Sequence, residues 1–201
     1  MPRHFSKEER KNIKNKLIEK GKKYFAKTGL KKTTVAELAA EVGIGKGTFY
    51  NFFQSKEDLY FTVVQIEGEK LRNEIKSVVD KKGQNDITVI IKNIMDLIFN
   101  AAANNPLLNR VFTTDDLNKV FRKLGPEKIK EHNQLSTDAF LPLIKEWKKE
   151  EKLIEEDPEV ILGIIRAVII VGLHKKEIGD DIFPGVINRL IEFTAAGLTK
   201  R

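Results

Sequence analysis

The sequence predicts an all-α protein of about nine helices, in which a three-helix head is joined by a long linking helix to a larger helical domain. Apolar residues recur at helical spacing along most of the chain, which predicts helices rather than strands. Ser, Thr, Gly and Pro stand where these apolar stripes begin and end. The chain has 201 residues, of which 41% are hydrophobic and 32% charged, enough for one large core or two modest ones.

The first helix is predicted to begin after Ser6, because Ser6 and Glu9 have the spacing of a capping box. It should run to about Lys27 and end at Gly29.

The stretch from Thr33 to Lys56 predicts two short helices joined by a tight turn. A capping box of Thr34 and Glu37 opens the first, Gly43 can end it in a left-handed cap, and Ala39 is small enough for a steep helix crossing. This is the geometry of a helix-turn-helix, whose second helix enters the major groove of DNA, although an ordinary surface hairpin has the same pattern. The outward positions of the second helix suit contact with DNA: Gly45, Lys46, Gly47, Thr48, Tyr50 and Asn51.

The net charge is divided unevenly along the chain. Residues 1–56 contain 14 Lys and Arg against 5 Asp and Glu, a net of +9, whereas the remainder contains 22 against 24, a net of −2. A phosphate backbone attracts such a basic segment whatever the base sequence. The tail with Arg3 and His4 is either an arm that reaches DNA or a disordered end.

The segment TTVAELAAEVGIGKGTFYNFFQSKEDLY resembles the DNA-binding signature of the TetR-type bacterial repressors, and the resemblance covers roughly residues 10–61. It implies phosphate contacts by Thr34, Tyr50 and Lys56. It also implies contacts with base edges by Lys46, Gly47, Thr48 and Asn51. Two positions depart from the family: Gly45 replaces the usual Ser or Thr, which removes a side-chain cap, and Phe52 replaces the usual Tyr or His, which removes one possible phosphate contact.

The rest of the chain predicts further helices, separated by breaks. A cap of Ser55 and Asp58 opens the linking helix, and a polar break follows at residues 80–85. The predicted helices are residues 56–79, 87–104 (stopped by Pro106), one or two short helices in 107–124, 126–152 with Pro142 inside, 159–176 and 184–199. We therefore place a DNA-binding domain at residues 1–55 and an effector-binding and dimerisation domain at residues 56–201.

The last two helices are more apolar than one small core requires, so we expect them to form the face of a homodimer; an intramolecular core is the alternative. The expected interface residues are Ile164, Ala167, Val168, Val171, Val186, Leu190 and Phe193. A two-fold dimer presents two recognition helices about 34–36 Å apart, or a multiple of it, which predicts an operator with inverted-repeat symmetry. A membrane span is not expected at residues 159–176, because the apolar run is short and contains Arg166.

A set of aromatic residues could line an apolar pocket for a small-molecule effector, as the resemblance also implies: Phe99, Phe112, Phe121, Phe140 and Trp147. Each of them could equally be a core residue. Arg166 could bind a carboxylate or phosphate of the ligand, pair with an acidic residue, or lie at a subunit seam. His174 could contact a ligand, cap carbonyl groups or face solvent.

Catalytic and metal chemistry find little support in the sequence. There is no cysteine, and the three histidines have no metal-binding spacing. No nucleophile–base pair, phosphate loop or cofactor motif can be placed. The sequence therefore predicts a cytoplasmic transcriptional regulator that binds double-stranded operator DNA without a cofactor, and repression is the usual mode of the family it resembles. An enzyme of unknown reaction and a nucleoid-style DNA binder without effector control are the alternatives.

Overall fold

The computed structural model describes residues 5–80, 86–172 and 175–200, and in these ranges the protein contains α-helices and no strand. The helices are α1 (Lys7–Lys32), α2 (Val35–Glu41), α3 (Lys46–Phe49), α4 (Lys56–Val79), α5 (Ile87–Asn104), α6 (Pro106–Thr113), α7 (Asp116–Leu124), α8 (Pro126–Lys149), α9 (Pro158–Gly172), α10 (Lys175–Ile178) and α11 (Phe183–Leu198). In the described ranges nine helices have seven residues or more, while α3 and α10 are single turns, so the predicted all-α fold is confirmed. The tail with Arg3 and His4, residues 81–85 of the polar break and His174 lie outside the described residues.

The chain divides into two compact units. The first unit comprises Met1–Gly68 and Pro106–Ile129, and the second comprises Glu69–Asn105 and Lys130–Arg201. Residues 106–129, which the sequence analysis assigned to the larger domain, pack with the first unit. The functional boundary that we placed after residue 55 stays a prediction, because compactness and function need not divide a chain at the same point.

The core of the first unit explains why α6 and α7 belong to it. Leu107 of α6 and Val120 of α7 are fully buried in the same core as Phe25 of α1 and Phe49 of α3. Burying each such side chain contributes about 1.5–3 kcal/mol. The two short helices therefore have their apolar faces covered by the head of the protein.

Helix α1 is broken at Gly29, as the sequence predicts. Gly29 has φ 77° and ψ 173°, a backbone region that residues other than glycine rarely occupy, and helical geometry resumes for one more turn to Lys32. A Cβ atom at Gly29 would overlap the guanidinium of Arg110, with Cζ only 2.7 Å away. Both backbone geometry and packing thus require glycine at this position.

The predicted caps are present where they can be checked. The amide of Glu9 donates to Ser6 Oγ (3.1 Å) and the amide of Ser6 donates to Glu9 Oε2 (2.8 Å), which completes the capping box of α1. Ser55 Oγ likewise accepts from the amide of Asp58 at 3.2 Å. These interactions are local in sequence, which is why the sequence pattern predicts them.

The second unit is built around α5, α9 and α11. Met95, Ile161, Ile191 and Ala195 are at least 98% buried and join these helices in one core. In the described part of the chain, α5 is long and apolar enough to cross a membrane, but its packing on α9 and α11 identifies it as a core helix.

The structure describes the predicted helix 159–176 in two parts. These are α9, up to Gly172, and α10, from Lys175, and the two residues between them lie outside the described ranges. Gly172 lies so close to the ring of Phe99 that a Cβ atom there would overlap it. The glycine therefore serves the contact between α9 and α5.

Replacing Gly29 with alanine should destabilise the protein through both backbone strain and steric overlap. Gly43→Ala is the matched control, since Gly43 also has positive φ (73°) but a Cβ there would have no atom within 4 Å. We expect Gly43→Ala to lower the free energy of unfolding by about 1–2 kcal/mol. Gly29→Ala should cost at least about 1 kcal/mol more, because it displaces Arg110 from Asp116. Chemical denaturation of both variants measures the difference, and equal losses would show that Arg110 moves aside freely.

Candidate nucleic-acid interface

Helices α2 and α3 form the predicted helix-turn-helix. Thr34 Oγ1 accepts from the amide of Glu37 (3.2 Å), and the amide of Thr34 donates to Glu37 Oε2 (2.9 Å), so the predicted capping box opens α2. These bonds from the Thr34 hydroxyl and amide hold the pKa of Glu37 below its usual value. The turn closes where the amide of Ile44 donates to the carbonyl of Ala39 (3.0 Å).

The inner side of this hairpin is apolar and tightly packed. Leu38, Ala39 and Phe49 are at most 1% exposed, and they belong to the core of the first unit. The small side chain predicted at the helix crossing, Ala39, is therefore buried where the two helices meet. Gly45 occupies the N-cap position of α3 without a side-chain cap, as its departure from the family pattern implies.

The outer side of α3 is open to solvent. Gly45, Lys46, Gly47, Tyr50 and Asn51 are exposed, with half of the Tyr50 surface accessible, and Thr48 is half-buried. A Cβ atom at Gly47 would have no atom within 4 Å, and no positive φ is recorded there. Packing in this chain therefore does not require glycine at position 47, and the space above it is available to a partner molecule.

Four of the predicted DNA-binding residues line one open concavity of about 470 Å³ on the first unit. They are Thr34, Lys46, Tyr50 and Lys56. The other four do not line it: Gly45 is the N-cap of α3, Gly47 and Thr48 lie on α3, and Asn51 lies in the turn after it. The concavity also includes Lys123 of α7, which the sequence analysis did not single out and which no local sequence signal connects with the hairpin.

Lys56 has a structural role that the sequence pattern did not reveal. Its Nζ donates to three carbonyl oxygens at the end of α1 and beyond it: Leu30 (2.8 Å), Lys31 (3.3 Å) and Thr33 (2.8 Å). An ammonium group has three donors, and all three are directed at these carbonyls. A direct hydrogen bond from Lys56 to a DNA phosphate would have to displace one of them.

Phe52, the second departure from the family pattern, packs under a cation. The guanidinium of Arg10 lies 5.3 Å from the centroid of the Phe52 ring, and Arg10 Nη2 donates to the carbonyl of Asn51 at 3.3 Å. The aromatic ring thus holds an arginine of α1 beside the outer end of the recognition segment. Sequence spacing gives no indication of these contacts, because Arg10 and Asn51 are 41 positions apart.

An exposed carboxylate ties α1 to α2. Glu41 accepts from Lys20 Nζ at 2.7 Å and from the Tyr24 hydroxyl at 3.0 Å. The hydrogen bond from Lys20, followed by that from Tyr24, lowers the pKa of Glu41. The contact is therefore present above the usual pKa of a glutamate and is lost as the pH falls through the lowered value.

The predicted effector residues do not all lie in one unit. Phe112 and Phe121 belong to the first unit, and the ring of Phe121 packs 6.3 Å from that of Phe61 in its core. Phe99, Phe140, Trp147 and Arg166 belong to the second unit. Arg166 is half-buried, and its Nη2 donates to Thr137 Oγ1 at 3.0 Å. The division follows from the return of α6 and α7 to α1.

The predicted dimer residues lie along one stripe on each of two adjacent helices, α9 and α11. On α9, Ile164, Ala167 and Val171 are exposed at i, i+3 and i+7, and Val168 between them is half-buried. On α11, Val186, Leu190 and Phe193 follow the same kind of spacing, and Phe193 is 68% exposed. The buried core residues of α11, Ile187, Ile191 and Ala195, occupy its other face.

This arrangement defines a helix-turn-helix protein with a basic, solvent-facing recognition segment. In the described residues, no group of three His, Asp or Glu side chains is placed to hold a metal ion.

Comparison with known proteins agrees with that class. Residues 17–63 match the family described as bacterial regulatory proteins, tetR family. The transcriptional regulator QacR of Staphylococcus aureus is 25% identical over 199 residues, covering 94% of this chain and all of that protein. The nucleoid occlusion factor SlmA of Shewanella pealeana is 26% identical over 135 residues, which is 67% of this chain and 68% of SlmA. The structure of SmeT, the repressor of a multidrug efflux pump of Stenotrophomonas maltophilia, superposes with a TM-score of 0.66 over 93% of this chain and 90% of SmeT, at 15% identity.

The chain is therefore similar to the TetR-type bacterial transcriptional regulators, in residues 17–63 by the family match and over nearly its whole length by the match to QacR. Both the matched family and QacR are described as regulators of transcription.

Removing the ammonium of Lys56 should destabilise the first unit. Lys56→Met keeps most of the aliphatic stem but leaves the carbonyls at the end of α1 without their donor, which we expect to cost about 1–3 kcal/mol in the free energy of unfolding. Lys32→Met is the control, because Lys32 is an exposed residue of the same segment. Urea denaturation compares them. If both variants unfold like the wild type, the carbonyl contacts do not hold this segment.

Proposed function

We propose that this protein is a cytoplasmic repressor that binds, as a homodimer, to a palindromic operator and leaves it when a small-molecule effector binds. The single observation that carries the DNA-binding part is the outer face of α3. Its polar side chains and two open glycines face solvent beside a concavity lined by lysines, while its inner face is fixed by Phe49.

The residues on and around α3 divide into candidates for base-edge contacts and candidates for phosphate contacts, which supports recognition of a base sequence. Lys46 and Asn51 are exposed and carry donors that can reach base edges in the major groove. Thr34 and Tyr50 line the adjacent concavity and offer hydroxyl groups to phosphate oxygens. Gly47 lets the helix backbone approach the DNA closely.

The exposed apolar stripe of α9 and the exposed Phe193 of α11, which continues the half-buried Val186 and Leu190, support the homodimer. Phe193, Val171 and Ile164 are 68%, 51% and 37% exposed, although the opposite faces of the same helices are buried. Gly163 and Gly197 are also exposed, and a Cβ atom on either would have no atom within 4 Å. A second copy of the same two helices would cover this surface, and the glycines would permit close helix packing.

Fewer residues remain as candidates for effector binding than the sequence analysis suggested, because Phe112 and Phe121 lie in the first unit. Phe99, Phe140 and Trp147 lie in the second unit, where Arg166 supplies a half-buried cation. A largely apolar ligand with one anionic or hydrogen-bonding group would match these residue types, but it would have to enter the core in which Trp147 is buried and against which Phe99 and Phe140 pack. Such a ligand releases DNA only if it binds the released conformation more tightly than the DNA-bound one.

Selection of binding sites from a random-sequence duplex library tests the function. The expected result is an inverted repeat whose half-sites are about one helical turn apart, or a multiple of it. Discrimination against random DNA should be about 10³-fold or more. Steeply salt-dependent binding with little sequence preference would instead identify a nucleoid-style binder. Compounds that release the selected duplex then identify the effector class.

Lys46→Ala should relax sequence discrimination without destabilising the fold. If Lys46 contacts a base edge, its loss should reduce the difference in binding free energy between the selected operator and a scrambled duplex by about 1–3 kcal/mol. Fluorescence anisotropy on both duplexes measures this difference. Lys16→Ala, at an exposed position on α1, is the control. An unchanged difference for Lys46→Ala would remove Lys46 from the base-reading set.

Phe193→Glu should prevent dimer formation. A carboxylate in the centre of an apolar interface would lose its hydration without gaining a partner, so the species in solution should have the protomer mass of 23.0 kDa. Operator affinity should fall with it, because a monomer occupies only one half-site. Val89→Glu, at an exposed apolar position of α5 outside both stripes, is the matched control. Light scattering after size-exclusion chromatography distinguishes the outcomes. A Phe193→Glu variant that remains dimeric would show that the interface does not include Phe193.

A further inference from the structure

We propose that Lys123 of α7 binds a backbone phosphate of operator DNA, so that the DNA-contacting surface extends beyond the helix-turn-helix. The inference rests on the proposed DNA-binding function and adds to it a contact from a part of the chain more than sixty residues after the recognition helix. It concerns affinity and salt dependence, not the reading of bases.

The position of Lys123 carries the proposal. Every other residue lining the concavity beside α3 lies between Thr33 and Glu57, and Lys123 alone among the lining residues comes from another part of the chain. It shares this surface with Thr34, Lys46 and Tyr50. A phosphate group bound against those three residues would also lie near the ammonium group of Lys123, which would be a fourth hydrogen-bond donor.

Helix α7 is fixed to the first unit, so this position is set by packing. Val120, one helical turn before Lys123, is fully buried in the core of the first unit. At the start of the same helix, Asp116 is 4% exposed and accepts from the amide of Leu30 at 3.3 Å. Both ends of α7 are thus attached to α1 or its core, and Lys123 projects from a rigid support.

The other cations of α7 are engaged, whereas Lys123 is available. Lys119 lies 3.6 Å from Asp116 Oδ1, and Arg122 lies 2.8 Å from Asp115 Oδ2. In the part of the chain that the structure describes, Lys123 is exposed and has no ion pair. Arg122 therefore already has an anionic partner, while the ammonium donors of Lys123 are available to a bound anion.

The lysines that line the concavity also divide into one that is already hydrogen-bonded and two that are available. The Nζ of Lys56 is directed at three carbonyls, which leaves Lys46 and Lys123 as the lysines with donors free for an anion. Glu57 also lines this surface and opposes anion binding there, but the three lysines outnumber it. The chemistry favours a compact, multiply accepting anion such as a DNA phosphate.

The salt dependence of binding tests the proposal. In the full-length dimer, Lys123→Gln should reduce the slope of log Kd against log salt concentration by about one unit per protomer, hence about two per dimer on a complete operator. Affinity should fall by the same factor for the selected operator and for a scrambled duplex, leaving their ratio unchanged. Lys123→Arg should restore the wild-type slope, since it restores the charge.

Lys145→Gln is the matched control, because Lys145 is an exposed lysine on α8 in the second unit and its loss changes the net charge equally. Fluorescence anisotropy between low and physiological salt gives the slopes, and circular dichroism confirms that each variant is folded. A Lys123→Gln slope equal to that of the wild type or of Lys145→Gln would overturn the proposal. So would a changed ratio between operator and scrambled duplex. If wild-type protein selects no sequence at all, the proposed function fails, which is a separate result.

Discussion

The backbone from Gly29 to Thr33, where α1 leaves helical geometry and the chain turns into α2, is the constraint on which the rest of the first unit depends. Its carbonyls accept from Lys56 of α4, and the amide of Leu30 donates to Asp116 of α7. Two separate parts of the chain, α4 and α7, therefore bond to these five residues. Because α2 begins only two residues later, these bonds determine where the helix-turn-helix is placed.

This corner joins polar and apolar contributions. Asp116 is almost fully buried, and its carboxylate is surrounded by Arg110, Lys119 and the amide of Leu30. Burial raises the pKa of the neighbouring Tyr60 hydroxyl, with a further contribution from the charge of Asp116 and an opposing one from Arg110. Loss of one partner from such a group costs more than the bond itself, since the remaining charge stays desolvated. This segment therefore discriminates more strongly against alternative packing arrangements than an apolar contact of the same size would.

Local features were predictable from the sequence, and long-range ones were not. The capping boxes at Ser6 and Thr34 and the bounds of α5 follow from residues within one or two helical turns of each other. The membership of α6 and α7 in the first unit depends on contacts such as that between Leu30 and Asp116, 86 positions apart. The carbonyl contacts of Lys56 likewise depend on the folded position of α1, and the motif alone identifies only a cation at that place.

The open space around Gly47 has a consequence for how such proteins diverge. The inner residues Leu38 and Phe49 hold the hairpin, whereas positions 46 and 47 point away from every packed contact of the first unit. If this outer face reads bases, as we propose, a single substitution there can change which bases are preferred without requiring the core to repack. Gene copies descended from this one could therefore acquire new target promoters stepwise, through viable intermediates that all keep the same scaffold.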